Sequence, residues 1–272
     1  MRKVAAIQLC SGPDVRHNLR NAARWLDEAA IHEARLAVLP ENFAFLGRDD
    51  DERLAASEAP GDGPIQAFLS ERARALGMWI VGGTLPMSVR DEKRVRAACL
   101  LYDDEGRVAA RYDKMHLFDV SLPERNEHYR ESSGTEPGAE MCVATTPFGK
   151  LGLAVCYDVR FPELFRRLLD AGMELLALPA AFTVPTGRAH WEVLVRARAI
   201  ENLCPVLAAA QEGKHPHGRE TWGDSMIVSA WGEVLARLPH GEGVIVSDLD
   251  TMQGSDVRTR FPALDHRRQE LR

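Results

Sequence analysis

A cysteine, a glutamate and a lysine, far apart in sequence, each stand just past the carboxyl end of a strand-like run. Cys156 closes Leu151-Gly-Leu-Ala-Val155 and precedes Tyr157-Asp-Val-Arg-Phe-Pro-Glu-Leu164. Glu41 follows Leu36-Ala-Val-Leu-Pro40, and Lys114 follows a run ending at Tyr112. A thiol at a strand-to-helix turn sits near outward-pointing N–H groups and a positive helix end, which favour thiolate and developing negative charge. A carboxylate can take the thiol proton and return it to a leaving amine. A lysine ammonium, helped by a backbone N–H such as that of Tyr157, can steady the oxyanion of a tetrahedral intermediate. In α/β sheets the carboxyl edge is where ligands bind. Together the three groups suffice for acyl transfer from a carbon–nitrogen bond.

Each residue also has an ordinary explanation. A glutamate or lysine after a strand is commonly a solvated loop charge, and a cysteine there commonly packs as a small hydrophobe. Spacing alone does not assemble them.

The elements that would carry these residues alternate. Strands are expected at Lys3–Leu9, Leu36–Leu39, Met78–Val81, Ala97–Tyr102, Val108–Tyr112, Met141–Thr145, Leu151–Val155, Glu174–Leu178 and Pro205–Ala210, with antiparallel β from Trp222 to Leu249. Helices are expected after Asp14, a suitable N-cap, from Pro64 to a stop at Gly77, through Leu164–Leu169, and over Arg188–Asn202. On the last of these, Trp191, Leu194, Val195 and Ala199 make one stripe, which reads as core. His116 to Glu140 has no clear period and reads as a long functional or disordered loop. The pattern predicts a layered α/β protein with a mixed sheet, or two sheets packed face to face between helices, as one domain over residues 1–272.

Composition narrows the function classes. With 272 residues, 45% of them hydrophobic, the chain can bury a large core. The net charge of -6, from intermixed acids and bases, argues against nucleic acid as a main partner. No apolar run reaches the length of a membrane span and the start MRKVAAIQLC is not a signal peptide, so a cytoplasmic protein is expected. Five cysteines without a C-x-x-C pair indicate neither a disulfide framework nor a Cys-rich zinc site. His215-Pro-His217 reads as a turn, not a metal pair, and no G-x-S-x-G elbow or P-loop is present.

Leu39-Pro-Glu-Asn-Phe43, Tyr112-Asp-Lys-Met-His-Leu-Phe-Asp119 and Gly152-Leu-Ala-Val-Cys-Tyr-Asp-Val-Arg-Phe-Pro-Glu-Leu164 resemble the three signature blocks of the nitrilase, or carbon–nitrogen hydrolase, superfamily. The resemblance runs nearly end to end. It implies an α-β-β-α sandwich of mixed sheets that pairs into homodimers, partly through the 191–202 helix. It also implies a Glu-Lys-Cys site that needs no metal or organic cofactor. Carried over, Glu41 resembles the general base, Lys114 the oxyanion lysine and Cys156 the nucleophile that forms a thioester. Tyr129-Arg-Glu-Ser132 resembles the block holding a second glutamate, which points to Glu131.

Cys-Tyr-Asp-x-Arg-Phe-Pro-Glu and Thr186-Gly-Arg-Ala-His-Trp-Glu192 resemble a branch containing deaminated glutathione amidase and ω-amidase. By that resemblance Arg160 would meet a substrate carboxylate, and Phe182 and Thr186 would line the acyl pocket beside Tyr157. A guanidinium suits that task because it grips a carboxylate with two parallel hydrogen bonds. Ala208 to His215 and Arg219-Glu-Thr-Trp-Gly223 lean toward deaminated glutathione as the substrate. Asp224 departs from the branch, which usually has histidine there. ω-Amidase, N-carbamoyl amidase or nitrilase activity, and a catalytically silent interaction scaffold, are the rival readings.

Overall fold

Strand and helix segments follow the apolar periodicity closely. The computed structural model describes residues 2–89, 93–122, 127–216, 218–249 and 251–268. The first half runs β1 (Arg2–Gln8), α1 (Val15–Ile31), β2 (Ala34–Val38), α2 (Asp50–Ala55), α3 (Pro64–Leu76), β3 (Trp79–Ser88), β4 (Val95–Tyr102) and β5 (Val108–Asp113). A hairpin of β6 (Asp119–Leu122) and β7 (Glu127–Arg130) leads to β8 (Cys142–Thr146), β9 (Gly149–Leu153), α4 (Pro162–Asp170), β10 (Leu175–Ala180), α5 (Val184–Asn202) and β11 (Val206–Ala210). The chain continues through the hairpin β12 (Glu212–Lys214) and β13 (Glu220–Trp222), then β14 (Ser225–Val228), β15 (Val234–Leu238), β16 (Gly243–Leu249) and α6 (Thr251–Arg260).

Two six-stranded mixed sheets result, ordered β16-β1-β2-β3-β4-β5 and β15-β14-β11-β10-β9-β8. β1, β2 and β3 are mutually parallel, as are β9, β10 and β11, and antiparallel strands complete each sheet. The period of two decides which side chain serves which layer. Val4, Ala6, Leu36, Val38, Val81 and Cys99 join the core shared with Leu151, Leu176 and Val206 of the other sheet. Their neighbours Ala5, Ile7, Ala37, Leu39, Ile80 and Ala98 pack with Leu26 of α1 and Leu69 of α3. Being covered on both faces, these strands read as continuous apolar runs. α4 and α5 back the second sheet through Leu164, Phe165, Leu168, Trp191 and Val195. The architecture is an α-β-β-α sandwich.

Local signals act as expected at the helix ends. The Asp14 carboxylate accepts the His17 N–H at 3.0 Å, and Gly77 leaves α3 in the left-handed conformation at φ 55°. Trp191, Val195 and Ala199 are buried, so that stripe is core.

The expected long loop from His116 to Glu140 is instead partly ordered by β6 and β7, with a short 3-10 turn at Glu131–Ser133. Its order is tertiary. The Asp119 carboxylate accepts Ser132 N–H and Oγ–H at 3.0 and 2.6 Å, and Phe118 packs at 5.1 Å on both Tyr129 and Tyr157. β16 also leaves the antiparallel tail to pair with β1 across the molecule.

Candidate active site

The ends of β2, β5 and β9 meet at one cavity. After β2, the Leu39 N–H bonds Val81 O at 2.9 Å and the Asn42 N–H bonds Thr84 Oγ1 at 2.9 Å, pinning both flanks of Glu41 to β3. The Glu41 carbonyl accepts from Gln211 Nε2 at 3.0 Å. Gly83 makes this possible: a Cβ there would lie 1.8 Å from the Pro40 carbonyl oxygen. After β5, Lys114 N–H bonds Ala97 O at 3.0 Å.

Cys156 leaves β9 at φ 49°, a left-handed conformation that costs a non-glycine residue about 1–3 kcal/mol. The fully buried Asp158 carboxylate holds the turn. It accepts the Val155 N–H at 2.8 Å, the Tyr112 hydroxyl at 2.7 Å and the His116 N–H at 3.1 Å, and contacts His116 Nδ1 at 2.7 Å. Tyr112 and His116 flank Lys114, so one carboxylate ties the lysine's strand to the cysteine's turn.

Lys114 Nζ donates to Glu41 Oε1 at 2.7 Å and to Glu131 Oε1 and Oε2 at 3.0 and 2.8 Å. Glu131 also accepts the Phe118 N–H at 2.7 Å. Lys114 is 2% exposed, and burial alone would pull its pKa down. The charges of Glu131 and Glu41 outweigh burial and leave it above the ordinary lysine value, so the ammonium persists. The Cys156 thiol is pushed well up, first by burial and then by the charge of Glu41, with Lys114 and the Ala181 N–H, 3.5 Å from Sγ, opposing. The resting sulfur is therefore a thiol beside a carboxylate able to take its proton. The Tyr157 N–H makes no hydrogen bond to the described residues.

These groups line a cavity of about 320 Å³, the size of a small-molecule site. Glu41, Lys114, Glu131, Cys156, Tyr157, Phe182 and Thr186 all face it. Arg160 does not line it. Its half-buried guanidinium lies behind two lining rings, 5.8 Å from the centroid of Tyr157 and 5.2 Å from that of Phe182, and 3.4 Å from His190 Nδ1. No carboxylate among the described residues pairs with it, and burial pulls its pKa down. Asp224 pairs with Arg237 at 2.6 and 2.9 Å, away from the cavity. Both ring nitrogens of His215 are engaged, by Ser11 O at 2.8 Å and Thr221 Oγ1 at 2.7 Å, while His217 lies outside the described residues. Sequence reasoning missed Asp158 and Ala181, and read Arg219 only as part of a block that leans toward deaminated glutathione. An aspartate in a turn looks like a helix cap, and a backbone N–H carries no side-chain signal.

A family model described as carbon-nitrogen hydrolase matches residues 3–258. The chain belongs to this family. This carbon–nitrogen hydrolase is 42% identical to the deaminated glutathione amidase of Yersinia enterocolitica, over 97% of this chain and 92% of that one. It is also 42% identical to the human deaminated glutathione amidase, over 98% and 83%. The NitFhit protein of C. elegans superposes with a TM-score of 0.93 at 36% identity, and this chain, wholly covered, spans 66% of that longer protein. Nit3 of Saccharomyces cerevisiae, described as a member of branch 10 of the nitrilase superfamily, superposes at 0.86 with 30% identity, over 96% and 94%. The carbon–nitrogen hydrolase thus acts on carbon–nitrogen bonds other than peptide bonds, and none of its described helices is long and apolar enough to cross a membrane.

Proposed function

We propose that this hydrolase cleaves the amide of deaminated glutathione, releasing an α-keto dicarboxylic acid and a dipeptide amine through a thioester on Cys156. The observation that carries the reading is a buried ammonium held 2.7 Å from Glu41, beside the Cys156 thiol, in a cavity of small-molecule size. Relatives 42% identical over nearly the whole chain bear that activity in their names.

In this mechanism Glu41 takes the thiol proton as Sγ attacks the amide carbon. Lys114 and the Tyr157 N–H hold the oxyanion. Glu41 hands its proton to the departing amine as the carbon–nitrogen bond breaks. Water then attacks the thioester with Glu41 again as base, and the carboxylic acid leaves. Glu131 keeps Lys114 charged and aimed. Phe182 and Thr186 shape the acyl pocket, and Arg160, free of any acidic partner among the described residues, supplies positive potential behind Tyr157 and Phe182 for the acyl group's carboxylate. Residues 1–272 act as one catalytic domain in the cytoplasm, a setting supported by five unpaired cysteines. The working unit is a homodimer.

Rapid quench with deaminated glutathione followed by intact mass tests the covalent step. Wild type is expected to carry the acyl group, and Cys156→Ala to carry none. Turnover without any adduct on trapped wild type would remove the thioester. Parallel assays with α-ketoglutaramate and a simple nitrile rank the rival substrates, and the nitrile is expected to be poorest.

A further inference from the structure

The cavity wall contains an arginine that the mechanism leaves unused. Arg219 enters the β12–β13 hairpin just before β13 and lines the same cavity as Cys156. The hairpin is fastened to the cavity wall: the Trp222 N–H bonds Phe182 O at 2.9 Å, and Thr183 bridges Thr221. Arg219 Nη2 donates to Ala181 O at 3.1 Å, and its guanidinium lies 5.5 Å from the centroid of the Tyr129 ring. That is the guanidinium's single hydrogen bond to the described residues, although it carries five donors. Its Nε is shielded from water and has no partner among the described residues.

The other cavity arginines are already served. Arg48 pairs with Glu52 at 2.6 Å and Arg53 with Asp50 at 2.9 Å, while Arg130 is exposed, where water satisfies it. No carboxylate among the described residues pairs with Arg219. A part-buried cation with an idle fork in a substrate cavity is a receptor for an anion of the substrate.

The order of events decides which anion. The amine departs first and water takes its place, while the acyl group stays bonded to Sγ. The leaving half must therefore have a path to solvent, and the hairpin bearing Arg219, which lines the cavity, also carries exposed Lys214, Pro216 and Gly218. We infer that Arg219 binds the terminal carboxylate of the leaving dipeptide and so selects amides of carboxylate-bearing amines. This rests on the reading given under Proposed function.

The test compares kcat/KM for deaminated glutathione and for its analogue with the terminal carboxylate converted to carboxamide, in wild type, Arg219→Ala and Arg219→Lys. Wild type is expected to prefer the acid by about 10- to 100-fold, the scale of a charge-assisted bidentate contact. Arg219→Ala is expected to bring the preference near parity, with Arg219→Lys between. The ratio is internal to each variant, so a loss of folded enzyme cancels. A preference unchanged in Arg219→Ala, or absent in wild type, overturns the inference and leaves the proposed amidase standing. Wild type inactive on both compounds overturns that reading and the inference together.

Discussion

Lys114 lies between two carboxylates within direct hydrogen-bond reach, and its positive charge opposes the rise of the Cys156 thiol. In the proposed mechanism its removal costs an oxyanion donor, worth about 100- to 1,000-fold in turnover. Lys114→Ala is therefore expected to lose activity on that scale in steady-state assays. The thermal transition should remain cooperative, because the apolar cores of both sheets are untouched. Undiminished kcat would take the lysine out of the chemistry. Glu41, Lys114 and Cys156 stood out in the sequence because each lies just past a strand-like run, but only the resemblance of their three blocks to the nitrilase superfamily joined them as one candidate site. Glu131 was legible only through the Tyr129-Arg-Glu-Ser132 block. Arg219 entered only within a block leaning toward the substrate, since its place in the cavity wall depends on hairpin contacts to Phe182 and Thr183 that leave no local pattern.

At the scale of elements, the register between β2 and β3 positions Glu41. Gly83 lets the Pro40 carbonyl pass where any side chain would collide with backbone. Gly83→Ala is expected to cost about 1–3 kcal/mol in a urea melt, as overpacking does. Activity should fall further, since a displacement of about 1 Å near the reacting groups costs on the order of 100-fold. Wild-type stability and turnover together in this variant would show that the Glu41 segment is not held by close packing. The strands buried on both faces were located from their apolar runs, although their ends shift by one or two residues and β3 continues to Ser88, well past the expected Val81. The β6–β7 hairpin and α2 were not, because β6 and β7 are four residues each and α2 six, too short for a period to show.

Across the whole molecule, the layers leave one apolar stripe uncovered. Val193 and Ile200 of α5 are 68% and 48% exposed, and Trp231 stacks edge-on against Phe261 at 5.5 Å with both rings half exposed. Ile200 sits against Gly232, so the stripe is continuous. A contiguous apolar surface of this kind marks an interaction site, and a second copy of the chain is the occupant proposed here. Sedimentation equilibrium at micromolar protein is expected to give twice the chain mass, and Ile200→Glu with Trp231→Glu to give the single mass. A wild type that sediments as one chain would discard the dimer.

The carboxylate of Asp158 touches neither Sγ nor Nζ, yet it locks the supports of both into one rigid body set in the two large sheets. Arg219 hangs instead on the small β12–β13 hairpin applied to the cavity wall. In the mechanism proposed above, the carbon–nitrogen bond is broken on the large sheets, while the grip on the leaving amine sits on a separately mounted part.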